Sequence, residues 1–276
     1  MSMKRIVESI RLGLHHAVTC RSLWLFGFVV GVTSTGGGGG GGSSEGAGGG
    51  LSFTELLPFL VLALVLTAGL IILRFVSEGA LIEGVAQARA ARTPTLREGF
   101  RAGWRHWGVL LRIGLLYVAA TLASVLILAA PGAIVWRTAG PAAGIAVAIP
   151  AILIAVPWMV TLYLVQAFAS RIAVLENRHA VDAIRKARLF LHGRLLHGLT
   201  LIVSTFGGTI ALWFAGAVVI APVVLLAVAA LTVLPPVPVI AVCAVALLPV
   251  LFVLTAMVGT LRSSIWTVGY LTEVRS

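Results

Sequence analysis

Ionisable side chains set inside apolar stretches are where this chain could do chemistry. Arg74 and Glu78 stand four residues apart near the end of an apolar run, and Glu83 follows. A charge in hydrocarbon is costly, so such residues mark an ion or substrate path unless something pairs with them. Here the i, i+4 spacing lets Arg74 and Glu78 pair on one helix, close enough to its end to snorkel. Structural pairing is the reading the spacing favours. Arg112 and Arg262 hold similar places on their own apolar runs. They read as snorkelling cations or, alternatively, as the lining of an inner vestibule for an anion or a lipid headgroup. Glu83, Glu176 and Glu273 each close an apolar run, in Leu81-Ile82-Glu83, Val174-Leu175-Glu176 and Leu271-Thr272-Glu273. The macrodipole disfavours an anion at a helix C-terminus. Each glutamate is therefore expected to be pinned by an arginine rather than to carry protons, with Arg11, Arg101 and Arg185 the leading partners.

Other chemistries find little support. His15-His16 and the His192/His197 pair do not match a zinc spacing, and no Cys or Asp cluster joins them. No metal, no cofactor and no catalytic residue is expected. Cys20 and Cys243 do not make a disulfide framework. The glycine-rich segment 36–50 lacks the Gly-Lys-Ser/Thr ending of a phosphate loop and reads as a flexible tether. The segments read as outer loops offer only Glu45, Glu55 and Arg137 for catalysis, so an enzyme is the least favoured reading.

The elements that position these groups follow from hydropathy. Mean hydropathy is +1.08 and 11% of residues are charged. Apolar runs of roughly 18 or more residues can cross a hydrocarbon core about 30 Å thick. The reading is all-α: a polytopic membrane helical bundle forming a single integral membrane domain over residues 1–276. Six spans are expected near residues 23–32, 55–76 (continuing to 90), 107–130, 143–170, 195–220 and 239–262 (continuing towards 270). The first is short. The apolar run 195–234 is too long for one crossing, and Pro222 is expected to end or kink its helix. Pro150, Pro157 and Pro249 read as packing kinks rather than transport hinges. Residues 1–20 are amphipathic, without the continuous apolar core of a cleavable signal peptide.

The formal charge is +11. In a chain this apolar that excess points to anionic headgroups rather than nucleic acid, because the cations cluster beside helix ends. Arg97, Arg101 and Arg105 fall in one such segment, and Arg185, Lys186, Arg188 and Arg194 in another. The segments between 36 and 54 and between 235 and 238 carry no Lys or Arg, and 131–142 carries Arg137 alone. The positive-inside rule then places both termini in the cytoplasm.

Each basic segment carries one pattern: acid, small, apolar, Arg, any, small. The copies are Glu8-Ser9-Ile10-Arg11-Leu12-Gly13, Glu98-Gly99-Phe100-Arg101-Ala102-Gly103 and Asp182-Ala183-Ile184-Arg185-Lys186-Ala187. A repeated unit results, an amphipathic helix followed by a spanning hairpin, over about residues 1–90, 91–177 and 178–276. In the second copy Leu96, Phe100, Gly103, Trp104 and Trp107 recur at helical spacing, and the arginines form another face. Thr95 with Glu98 is a capping box. In the third, Val181, Ile184, Leu189 and Leu191 are the apolar part.

Arg21-Ser22-Leu23-Trp24-Leu25-Phe26-Gly27, Ser77-Glu78-Gly79-Ala80-Leu81-Ile82-Glu83-Gly84 and Ala173-Val174-Leu175-Glu176 carry a family likeness. With them the chain resembles the membrane domain associated with bacterial glycerophosphodiester phosphodiesterases and related uncharacterised multi-pass bacterial membrane proteins. The resemblance implies six helices with interfacial connectors, and it transfers no catalytic residues. The function expected is a non-enzymatic scaffold or accessory subunit of the bacterial inner membrane. Its basic cytoplasmic face binds anionic lipid or a membrane or cytoplasmic protein partner, with Arg101, Arg105, Arg185 and Arg188 at the headgroups. The alternative is a small permease, with Arg74, Glu78, Arg112 and Arg262 lining an inner charged vestibule.

Overall fold

The computed structural model describes residues 24–35, 53–90, 95–232 and 235–274. Among them all regular structure is helical: α1 (Trp24–Thr35), α2 (Phe53–Arg89), α3 (Leu96–Ala139), α4 (Pro141–Leu175), α5 (Ala180–Leu191), α6 (Leu195–Ala230) and α7 (Pro236–Val274). Five of these, α2, α3, α4, α6 and α7, are long and apolar enough to cross a membrane. Helix α1 is apolar but has only 12 described residues. The first copy of the repeated motif with Arg11, the glycine-rich segment and the side chain of Glu273 lie outside the described residues.

The helices run past the ends that hydropathy suggests. Helix α3 has 44 residues, about 66 Å at 1.5 Å per residue. The amphipathic segment expected to lie at the surface as a separate helix is instead the beginning of α3. Its cap forms as expected at the Thr95 side, with the Glu98 N–H donating to the Thr95 hydroxyl at 3.4 Å. Pro131 was expected to begin a loop and Pro222 to end or kink a helix. Both lie inside helices, α3 and α6. A proline removes one backbone hydrogen bond. Helix α3 gives way to α4 only at Gly140, whose φ of 88° suits glycine, and Pro141 opens the next helix.

Contacts divide the chain into two compact units, Met1–Trp107 with Thr200–Ser276, and Gly108–Leu199. These borders do not fall at the repeat borders. In the first unit the core gathers around the C-terminal half of α2. Ala80, Leu81 and Val85 pack with Val268 of α7 and Phe26 of α1. Helix α1 crosses α7 through glycine: Gly27 faces Ala256 and Thr260, and Gly31 faces Thr255. A Cβ on Gly259 would collide with the Gly27 carbonyl. Such small-residue crossings let backbones approach where no hydrophobic drive separates helix from lipid. On α3, Gly103 meets the Val76 carbonyl in the same way. The first half of α2 is the opposite case. Every side chain from Leu57 to Leu70 is exposed, Phe59 at 70%. Apolar exposure on that scale fits a lipid-facing surface.

The second unit is a hairpin of α3 and α4, with α5 at its basic end. The Trp158 indole donates to the Ser124 hydroxyl across the hairpin at 2.8 Å.

The glycine crossing sets a direct test. Gly259→Leu should destabilise the protein by about 1–3 kcal/mol through overpacking. Gly69→Ala, where nothing lies within 4 Å, should stabilise it by about 0.5–1 kcal/mol through helix propensity. Thermal melts in detergent would read both, and equal shifts for the two variants would contradict the packing described.

Candidate functional site

Helix α5 carries the strongest concentration of functional groups, and four features of the second unit hold it. Helix α4 ends at Glu176, and Asn177 takes a left-handed φ of 52°. The Arg178 N–H then closes on the Ala173 carbonyl at 3.2 Å, a Schellman-type reversal of the chain. Ala180, Ala183, Ala187 and Leu191 form the buried stripe of α5, and the small alanines let it lie close to its neighbour. Phe190 meets Phe168 with centroids 5.2 Å apart, and the Arg194 guanidinium covers the Phe190 ring at 5.3 Å. Finally, Lys186 Nζ donates to both Glu176 oxygens at 2.7 and 2.6 Å, and Arg178 Nε donates to Oε2 at 3.3 Å.

This corrects the expected pairing of Glu176 with Arg185. At about 100° per residue, Arg185 lies some 200° around the helix from Ala183. The alanine stripe therefore turns Arg185 away and brings Lys186 alongside Glu176. Of the residues read as the apolar part of this segment, Leu191 belongs to the packed stripe, whereas Val181 and Leu189 face outward, 62% and 71% exposed.

The outward face has a defined composition. Arg185, Arg188 and His192 are exposed and line a cavity of about 590 Å³ together with Val181, Ile184 and Leu189. Val181 and Ile184 also wall one end of a second cavity of about 360 Å³, which lies between α3 and α4. Most of its lining is apolar, including Ile113, Leu116 and Val165. Tyr117 of α3 and Gln166 of α4 are its polar members, and neither side chain hydrogen-bonds to a described residue. Guanidinium groups beside an apolar cleft can bind an anion that carries an apolar tail.

The remaining sequence candidates are scattered. Arg101 and Arg105 are exposed near the start of α3, flanking an aromatic ridge in which Phe100 stacks on Trp104 at 6.0 Å and Trp104 meets Trp107 at 6.1 Å. Gly103, read as part of that ridge, lies on the packed face. Arg74 and Glu78 are half-buried on α2, and the expected pair between them does not form. Arginine preceding glutamate is the weaker order for an i, i+4 pair. Among the described residues no ion pair reaches Glu83 either. Arg262 is half-buried on α7, and Arg112 is exposed on α3, one turn before Leu116. The 440 Å³ groove of the first unit is lined by apolar residues of α6 and α7, such as Leu212, Val253 and Met257, and none of these charges enters it.

Sequence reasoning placed Lys186 in the basic cluster but not beside Glu176, and it passed over Tyr117 and Gln166. Gln166 had a readable signal, an amide within the apolar run of α4. Arg171, near the end of α4, is buried and donates from Nη1 to the Ala167 carbonyl at 2.6 Å.

Comparison with known proteins yields no match: no family model, no curated protein and no solved structure is similar to this chain.

The anchoring of α5 predicts an order of effects. Glu176 and Lys186 are 24% and 44% exposed, so Glu176→Gln should cost only about 0.2–1 kcal/mol. Ala187→Leu, at a fully buried position, should cost about 1–3 kcal/mol and open Lys186 and Arg188 to trypsin. A larger loss for Glu176→Gln than for Ala187→Leu would show that the ion pair, not the alanine stripe, holds the helix.

Proposed function

We propose that this protein is a non-enzymatic membrane scaffold or accessory subunit whose basic face engages anionic lipid. The observation that carries the reading is the outward face of α5, where Arg185, Arg188 and His192 stand exposed between exposed Val181 and Leu189. Aliphatic side chains fit the acyl boundary, and guanidinium groups fit the phosphates just above it. The ridge Phe100, Trp104 and Trp107 beside Arg101 and Arg105 repeats that composition on α3.

The same reading gives a bacterial inner-membrane protein of six spans, with α1 part of the first, both termini cytoplasmic and three related hairpin units. The lopsided placement of arginine supports the orientation. The setting is the one implied by the resemblance read from the sequence to the phosphodiesterase-associated membrane domain. A small permease remains the second reading. It rests on Arg74, Glu78, Arg112 and Arg262 as the lining of an inner vestibule, and Arg74 and Glu78 are half-buried on α2 without an ion pair among the described residues.

Two measurements test the proposal. In bilayers, electron spin resonance should find spin-labelled phosphatidylglycerol restricted at the protein more than phosphatidylcholine. An arginine near the surface contributes about 1 kcal/mol, several-fold in relative association. The preference should shrink with salt and in Arg101→Gln/Arg105→Gln. Equal restriction of the two lipids would exclude a lipid-selective basic face. For orientation, a membrane-impermeant thiol reagent applied outside cells should label a cysteine replacing Ser44 and miss one replacing Thr93. The reverse pattern would invert the topology.

A further inference from the structure

We propose that the cleft between α3 and α4 is a built site for one anionic phospholipid molecule, held by its phosphate at Arg185 and Arg188 and by one acyl chain along the hairpin. This rests on the reading of the basic face as lipid-facing and names its ligand. Three observations converge. The 360 Å³ cleft and the 590 Å³ basic cavity share Val181 and Ile184 in their linings. An occupant of the cleft that reaches past these two side chains would meet the arginines. Charge complementarity then selects an anion: Arg185 and Arg188 are one turn apart and exposed, and His192 follows on the same face. Lastly, Tyr117 and Gln166 line the cleft with side chains that hydrogen-bond to no described residue. A polar side chain in hydrocarbon needs a partner. The ester carbonyls of a glycerophospholipid lie between its phosphate and its chains, so they can accept from the Gln166 amide and the Tyr117 hydroxyl while the phosphate accepts from the guanidinium groups.

The occupant is a lipid rather than a soluble phosphate because most of the cleft lining is apolar. Ile113, Leu116 and Val165 would gain nothing from a hydrophilic ligand. Volumes of roughly 300–1,000 Å³ are typical of sites that enclose a small ligand, and the cleft falls within that range.

Native mass spectrometry of the full-length protein, purified in detergent and supplied with phosphatidylglycerol, tests the assignment. One phosphatidylglycerol per chain should survive activation, and phosphatidylcholine should be retained at least about tenfold less. Arg185→Gln/Arg188→Gln changes two exposed side chains and should lower retention about tenfold without lowering the melting temperature. Ala120→Trp keeps every charge and fills the cleft, and should abolish retention. Gln166→Leu should lower it several-fold. Millimolar glycerol phosphate should not compete. Competition by glycerol phosphate would make the site one for soluble anions. A lipid-free pair of chains would give the cleft to a second copy. Unchanged retention in both the arginine and Gln166 variants would place the lipid elsewhere, and each of these results overturns the proposal. Loss of specific retention with spin-label selectivity intact would remove this site and leave the broader reading standing. Loss of both would remove the reading itself.

Discussion

Backbone hydrogen bonding without water is the constraint on which this structure depends. In hydrocarbon each amide and carbonyl must find its partner within the chain, and a helix provides all of them locally. The described chain is accordingly helical wherever it is ordered into regular structure, and its helices continue through Pro58, Pro131, Pro150, Pro157, Pro222 and Pro249. Several hydroxyl groups obey the same rule, while those of Ser77, Thr121, Ser263, Ser264 and Thr267 are buried without a hydrogen-bond partner among the described residues. Thr67, Ser124, Thr161, Thr205 and Thr260 each donate to the carbonyl four residues back, which satisfies a polar side chain without leaving the helix.

With the backbone satisfied, association must come from shape. Gly27 and Gly259 allow α1 and α7 to touch, Gly103 admits the Val76 carbonyl, and Ala183 and Ala187 seat α5. Small residues therefore decide which faces are packed, and packing decides where the charges point. On α5 the alanine stripe fixes Lys186 beside Glu176 and leaves Arg185 and Arg188 outward. The basic face is in this sense a product of the alanines as much as of the arginines. The ion pair at Glu176 relieves a carboxylate placed at a helix C-terminus, where the macrodipole opposes it.

Hydropathy made the long helices legible. The extent expected for α2, residues 55–76 continuing to 90, lies within two residues of Phe53–Arg89, because a continuous apolar run leaves the backbone no other solution. The Thr95 cap was legible as well, since its chemistry is local. Pro131 misled because a proline removes one backbone hydrogen bond without obliging the helix to stop, and Pro222 likewise does not end its helix. The partner of Glu176 could not be read from a linear motif. It depends on the rotational setting of α5, which alanines contacting another helix determine. Two of the motif copies also proved different in kind. The second runs unbroken into α3, whereas the third is a separate helix closed by Gly193 at a φ of 81°. Tyr117 and Gln166 join one cleft only through the pairing of α3 and α4, which their positions in the chain do not announce.

The central claim is that α5 lies at the boundary between acyl chains and headgroups, with its alanine stripe on the protein and Val181, Arg185 and Leu189 towards lipid. A nitroxide scan of residues 181–192 in bilayers, read by power saturation with oxygen and with a water-soluble nickel chelate, measures this directly. The account predicts intermediate depth at 181, 185 and 189, immobilised labels at 183 and 187, and a period of about 3.6 residues. Uniform access to the nickel reagent across the outward positions, with no contact with oxygen-rich lipid, would contradict it.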